Sequence, residues 1–220
     1  MKLIAVGLAR LTALTETTEI NPRNQVSVPQ LIHALVERYG FLKYPKTIEE
    51  YDASKGIVFG LGRINNINID RVEFYFVGIV IETRSSTDDC EAVLQDLIQV
   101  VQRLVGTEYK PTTEPRKFFL SEVSFHSELD LNGLNAAFSS LLPKISGLVS
   151  SYAREEFKFE TVAVLSTPDL ANTKLGPSLF RVDRLAGVPF RDQKYFSSAP
   201  LPTKDHLNIL EEFEKALMRV

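Results

Sequence analysis

The sequence has little of what a disulfide or a metal site requires. Its 220 residues include one cysteine and three histidines. A single cysteine excludes an internal disulfide and is typical of a reducing compartment, so we expect a cytoplasmic location. The histidines, His33, His126 and His206, lie far apart and form none of the closely spaced pairs that hold zinc. We therefore predict no metal site.

Phosphate-binding loops are also missing. The segment GIVFGLGR, residues 56–63, has three glycines. It matches neither GxxxxGK[ST], which cradles nucleotide phosphates, nor the dinucleotide pattern GxGxxG. The GxSxG elbow of serine hydrolases does not occur in the chain. We predict no cofactor, and we expect these glycines to serve a bulge or close strand packing.

No apolar run is long enough to cross a bilayer. The best-patterned stretch is RVEFYFVGIVIETRSSTDDCEAVLQDLIQVVQRLVG, residues 71–106, and its apolar run spans only Phe74 to Ile81. A transmembrane helix needs about 20 such residues. We predict a buried central strand here, followed by an amphipathic helix that starts at Thr87 and stops at Gly106. Near the N-terminus Arg10 interrupts another apolar run, which favours a strand over Leu3 to Leu8 rather than a signal peptide.

The amino-acid composition and net charge are those of an ordinary globular chain. Hydrophobic residues make up 44% and charged residues 24%, and the net charge is −3. This balance gives no bulk attraction for a polyanion. The polar stretches are too short for a convincing linker, so we predict one compact domain over 1–220, with possible halves 1–106 and 107–220.

Helical and strand patterns alternate without a strict βαβ order. Apolar residues at helical spacing predict about four amphipathic helices, and Pro143 should kink or split the third. Runs of β-branched and aromatic residues predict strands. This favours an α+β fold with a mixed or antiparallel sheet. The predicted helices cover 27–40, 86–106, 131–153 and 202–218, and the predicted strands 56–64, 71–83, 116–128, 157–166 and 178–185.

Two of the predicted helices resemble each other. The segment TDDCEAVLQDLI, residues 87–98, aligns with TKDHLNILEEFE, residues 203–214. This could mark a duplicated strand-and-helix unit and two pseudo-repeated halves. Any two amphipathic helices that start with threonine would look similar, so both explanations stay open.

Cys90 and His206 are weak candidates for nucleophilic catalysis. Cys90 falls in the first turn of its helix, where free N–H groups stabilise a thiolate, and His206 takes the matching place in the second helix. The alternative is that Cys90 is a small buried hydrophobic residue. The acids next to it oppose thiolate formation.

A metal-dependent nuclease or other hydrolase is another weak candidate. Glu156 and Lys158 flank Phe157 at the start of a predicted strand. Such a carboxylate can bind magnesium, while the lysine supports the attacking water. Asp130 is the only mild candidate for a second ligand. Alternating charges at a strand entrance are common without any catalysis.

Basic and aromatic residues alternate in LFRVDRLAGVPFRDQKYF, residues 179–196. This pattern suits a groove for single-stranded nucleic acid, although a hairpin with one buried face produces it too. Aromatic and arginine side chains also dominate protein interfaces. We therefore expect a non-catalytic interaction or assembly component that binds a protein partner or itself, with nucleic acid possible but not favoured and no membrane partner. The expected anchors are Tyr109, Phe180, Arg181 and Phe190.

Overall fold

A computed structural model describes residues 1–22, 25–106, 115–129, 131, 141–153, 156, 158–159, 163–166 and 177–218 of the chain. The chain divides into two compact units. The first unit comprises Val6–Glu122 and Pro200–Leu207. The second unit comprises Met1–Ala5, Val123–Ala199 and Asn208–Val220.

Eight strands form an antiparallel sheet, and with the helices they confirm the predicted α+β class. Two strands, β1 and β5, contribute residues to both units. In the first unit the strand order is β2-β3-β4-β1-β5, and in the second unit it is β1-β5-β8-β7-β6. The strands are β1 Lys2–Leu14, β2 Ile57–Ile64, β3 Ile67–Tyr75, β4 Gly78–Thr83, β5 Arg116–His126, β6 Ala163–Ser166, β7 Phe180–Arg184 and β8 Lys194–Ala199.

The described helices are α1 Thr17–Ile20, α2 Val28–Tyr39, α3 Thr87–Val105, α4 Leu142–Ala153 and α5 Thr203–Leu217. Local signals set the ends of two of them. Ser27 and Gln30 form a capping box at the start of α2, and Gly40 ends it with a φ of 60°. The Ser86 side chain accepts from the Asp89 amide at 3.1 Å, so Ser86, one residue before the predicted start, caps α3. Gly106 ends this helix with a φ of 72°.

The core of the first unit lies between its strands and the apolar stripes of α2 and α3. A polar contact joins these helices at its border. The Asp96 carboxylate accepts from the Tyr39 hydroxyl at 2.7 Å and from Arg38 at 2.6 and 3.1 Å. These bonds satisfy the hydroxyl of a tyrosine that is only 2% exposed, as a buried polar group requires.

The predicted long strand over 71–83 is wrong. The chain turns back at Phe76 and Val77, so that β3 and β4 form a hairpin with Tyr75 opposite Gly78. Next to the turn, β1 approaches so closely that a Cβ on Gly78 would lie 2.7 Å from the Ala13 carbonyl oxygen, so only glycine fits there. A continuous apolar run cannot reveal such a turn, since both strands of the hairpin are buried.

Three other elements differ from their predictions. Pro143 is the second residue of α4, where proline fits without a kink; a split of the predicted helix stays untested, because its earlier part, 132–140, lies outside the described residues. Of the strand predicted over 157–166, Ala163–Ser166 is strand and 158–159 are not, while 157 and 160–162 lie outside the described residues. The sequence also suggests a hairpin that pairs 178–185 with 188–190, but β7 pairs with β8, which begins at Lys194, and a short 3₁₀ turn, Phe190–Asp192, precedes it.

The order of the described elements repeats along the chain. Apart from the short α1 and the 3₁₀ turns, a strand, a helix, three strands and a helix occur twice, as β1 to α3 and as β5 to α5. Thr87 and Thr203 begin the two closing helices. This order fits the alignment of 87–98 with 203–214, and duplication remains a prediction.

None of the described helices combines the length and the apolar character that a membrane crossing requires.

Candidate functional site

The Cys90 thiol lies in the core of the first unit. It is 0% exposed, its sulfur donates to the Ala9 carbonyl at 3.3 Å, and Thr83 Oγ1 is 3.5 Å away. Burial raises the pKa of the thiol to about 11. Since the thiolate is the nucleophile, this environment works against covalent catalysis.

His206 lies in the same unit and is also 0% exposed. Its Nδ1 atom is 2.7 Å from the hydroxyl oxygen of Ser121, on β5. Burial lowers the pKa of the imidazole to about 4, so it is neutral at physiological pH. Ser121 is 0% exposed as well. A serine hydroxyl beside an imidazole can act as a nucleophile with its general base. A substrate would, however, have to enter the packed core to reach these two groups.

Cys90 and His206 occupy matching positions in their helices, but their side chains bind different partners. The two helices that carry them meet at Thr87 and Thr203, while the thiol points to β1 and β4 and the imidazole to β5. Each side chain occupies the fourth residue of its helix and hydrogen-bonds a strand beneath it. This is the behaviour of core polar groups that are satisfied by packing.

Glu156 and Lys158 are both exposed in the second unit. The Lys158 ammonium lies 5.9 Å from the centre of the Phe190 ring, a cation–π distance. Phe157 and the proposed second ligand, Asp130, lie outside the described residues. Within the part of the chain that the structure describes, no group of three His, Cys, Asp or Glu residues could hold a metal ion.

The β7–β8 hairpin carries the expected basic and aromatic residues. Arg184 lies between the rings of Phe190, at 4.9 Å, and Tyr195, at 5.1 Å. Arg181 is exposed, pairs with Asp183 at 2.5 Å and lies 5.3 Å from the Phe196 ring. Phe180 and Phe190 are half-buried, and Tyr109 lies outside the described residues. Both arginines thus lie over aromatic rings at cation–π distance.

An apolar groove lies beside the β3–β4 turn, in the first unit. Its volume is about 150 Å³. The turn residues are unusually exposed for their size, with Phe76 at 59% and Val77 at 65%. Neither has the positive φ for which turns select Gly or Asn. The groove is lined by Ile20, Asn21, Val26, Val28, Leu31, Ala53, Ile57, Phe74, Phe76 and Val101.

A second, more polar depression lies in the second unit. It has a volume of about 460 Å³ and is lined by Met1, Lys2, Ile4, His126, Glu128 and Lys194. Beneath it the α-amino group of Met1 pairs with Glu214, which also accepts from the Ser127 hydroxyl. This amine is neutralised by its carboxylate, whereas Lys2 and Lys194 have no ion-pair partner among the described residues.

Sequence reasoning missed Ser121, the Phe76–Val77 turn and the Lys2–Lys194 depression. Ser121 follows the alternation of β5 and could have been assigned to the buried face. The turn had no composition signal, because its residues are typical of strands. Lys2 and Lys194 come together only through the order of strands in the second unit, which the sequence does not encode locally. Comparisons of the sequence with models of known protein families and with curated proteins found no match.

Proposed function

We propose that this chain is a non-catalytic assembly component that associates with a second copy of itself through the Phe76 groove, the apolar groove beside the β3–β4 turn. The observation that carries the proposal is the exposure of Phe76 and Val77 in a two-residue turn. Hairpin turns normally carry Gly, Asn or Asp, and exposed aromatic groups beside an apolar groove commonly mark an interface.

The size of the groove supports an apolar side chain as its occupant. A roughly 150 Å³ apolar cavity in a protein binds a benzene ring, and the groove has about this volume. A phenylalanine ring or a valine side chain from another chain would therefore fill it. Filling it would also cover the exposed faces of Phe76 and Val77.

We take a second copy as the occupant because one surface combines exposed apolar side chains with an apolar groove. The same patch offers two exposed side chains, Phe76 and Val77, and an apolar groove that Phe76 helps to line. In a two-fold contact each copy presents the same surface, so each turn can enter the groove of the other. Burying one such aromatic side chain contributes about 1.5–3 kcal/mol, and the symmetric contact doubles it.

The surroundings of the candidate catalytic groups support a role without chemistry. The Cys90 thiol and the His206 imidazole lie in the core, and the first has a pKa far above neutrality. A Glu156 and Lys158 hydrolase remains the alternative. A purified sample that degrades nucleic acid only with magnesium, and loses this activity on Glu156→Ala, would favour that alternative.

Sedimentation equilibrium of the full chain tests the self-association. The expected result is a monomer–dimer equilibrium that Phe76→Asp weakens by at least about 100-fold, because a buried charge replaces an apolar contact on both sides of the two-fold axis. Ile48→Asp is the matched control, since Ile48 is 82% exposed in the same unit and does not line the groove. A parent protein that stays monomeric at high concentration, or equal effects of the two variants, would contradict the proposal.

A further inference from the structure

We propose that the second unit binds single-stranded nucleic acid on the sheet face that carries Lys2, Lys194 and Phe196. One phosphate would sit in the depression between the lysines, and the neighbouring base would stack on the Phe196 ring. This site uses residues remote in sequence from the Phe76 groove and is independent of self-association.

The alternation of β8 defines this face. Tyr195, Ser197 and Ala199 are 0% exposed and point to the core, while Lys194, Phe196 and Ser198 alternate with them on the other face. Successive residues on one face of a strand are about 7 Å apart. A phosphate near Lys194 and a base over Phe196 are therefore within reach of one nucleotide.

The depression supplies the groups that recognise a phosphate. Lys2 and Lys194 are cationic and have no ion-pair partner among the described residues, and His126 adds a ring nitrogen that can donate a hydrogen bond. Glu128 lines the same depression and offsets one positive charge. The positive charge that remains suits a single phosphate group rather than a dense row of phosphates.

The aromatic part of the face is held in place by its neighbours. Arg181 lies 5.3 Å from the Phe196 ring and is itself paired with Asp183. Asp183 lies opposite Phe196, and Arg181 opposite Ser198, in the antiparallel register of β7 and β8. The Arg181 guanidinium lies over this half-buried ring, and the ring and the guanidinium together form a platform on which a base can stack.

A single strand fits these groups better than a duplex. In a duplex the bases already stack on each other, so only its phosphates could contact this face. Base stacking on an aromatic ring contributes to single-strand binding whatever the base, so we expect little sequence preference. A ligand without bases would use the lysines alone.

Fluorescence anisotropy with a labelled oligo(dT) and the full chain tests the site. Lys194→Gln should weaken binding about 5-fold and reduce the salt dependence, because one phosphate contact is lost. Phe196→Leu, which keeps apolar volume but removes the ring, should weaken it by roughly 5- to 100-fold. Lys55→Gln, in the first unit and 80% exposed, is the control and should change nothing. Thermal unfolding of each variant should match the parent.

Competition separates the ligand classes. Unlabelled oligo(dT) should displace the probe at far lower concentration than a duplex of equal length or polyphosphate. Equal competition by polyphosphate would overturn the proposal, since it would show that the ring has no role. Absence of oligo(dT) binding by the parent, or unchanged binding in Lys194→Gln and Phe196→Leu, would overturn it as well.

Discussion

Thr87 and Thr203 cap each other's helices. The backbone amide of Thr87 donates to the Thr203 hydroxyl oxygen at 3.1 Å, and the amide of Thr203 donates to the Thr87 hydroxyl oxygen at 2.9 Å. The residues are 116 positions apart, and both are buried. The first turn of a helix has amides without intrahelical acceptors, so two helix starts satisfy each other through an exchange of hydroxyl groups.

Removing either hydroxyl should destabilise the protein. Thr87→Ala leaves the buried Thr203 amide without its acceptor, and Thr203→Ala does the same to Thr87, so each should cost about 1–2 kcal/mol. Urea unfolding followed by circular dichroism measures this. Thr87→Ser keeps the hydroxyl and should cost clearly less. If the midpoints of both alanine variants equal that of the parent, the reciprocal capping has no energetic role.

The Cys90 thiol should be unreactive in the folded protein. Its raised pKa leaves little thiolate near pH 8, and its burial excludes the reagent. We expect a disulfide reagent to modify the native chain more than about 100-fold more slowly than the same chain in denaturant. The absorbance of the thiolate that the reagent releases gives the rate for the native chain and the rate for the denatured chain. A native rate close to that of the unfolded chain would show that the thiol is accessible.

Stability should fall as His206 is forced to protonate. The folded pKa of about 4 lies below the ordinary value of 6.5, so between these values the unfolded chain binds the proton and the folded chain does not. The contribution of His206 to the free energy of unfolding therefore has its full value above about pH 6.5. It falls by at most about 1.4 kcal/mol per pH unit as the pH drops towards 4, or by about 3 kcal/mol in total.

Unfolding free energies of variants at several pH values isolate this effect. His206→Gln should remove the part of the pH dependence of the unfolding free energy that comes from protonation of this imidazole. His33→Gln is the matched control, because the His33 side chain is 81% exposed in the same unit and should leave the slope unchanged. Identical slopes in the two variants would mean that His206 is not the group that titrates.

The sequence was most informative where a single residue controls the local backbone. Ser27 and Gly40 bracket α2, and Gly106 ends α3, because a capping side chain or a positive φ acts within one turn of the helix. The α+β class followed from these helices and from the aromatic and β-branched runs. Burial of Cys90 was also foreseeable as the alternative to catalysis, since the apolar stripe of α3 includes its position.

Tertiary packing determines where the candidate sites lie and which residues form them. The turn between β3 and β4 lies inside a continuous apolar run, so no local pattern signals it, and its residues Phe76 and Val77 are exposed. Ser121 meets His206 across 85 residues, and Lys2 meets Lys194 only because the strand order of the second unit joins their strands into one face. Local sequence fixes helix ends and strand faces through short-range hydrogen bonds and side-chain alternation. Which faces meet depends on long-range pairing and burial, and these exist only in the folded chain.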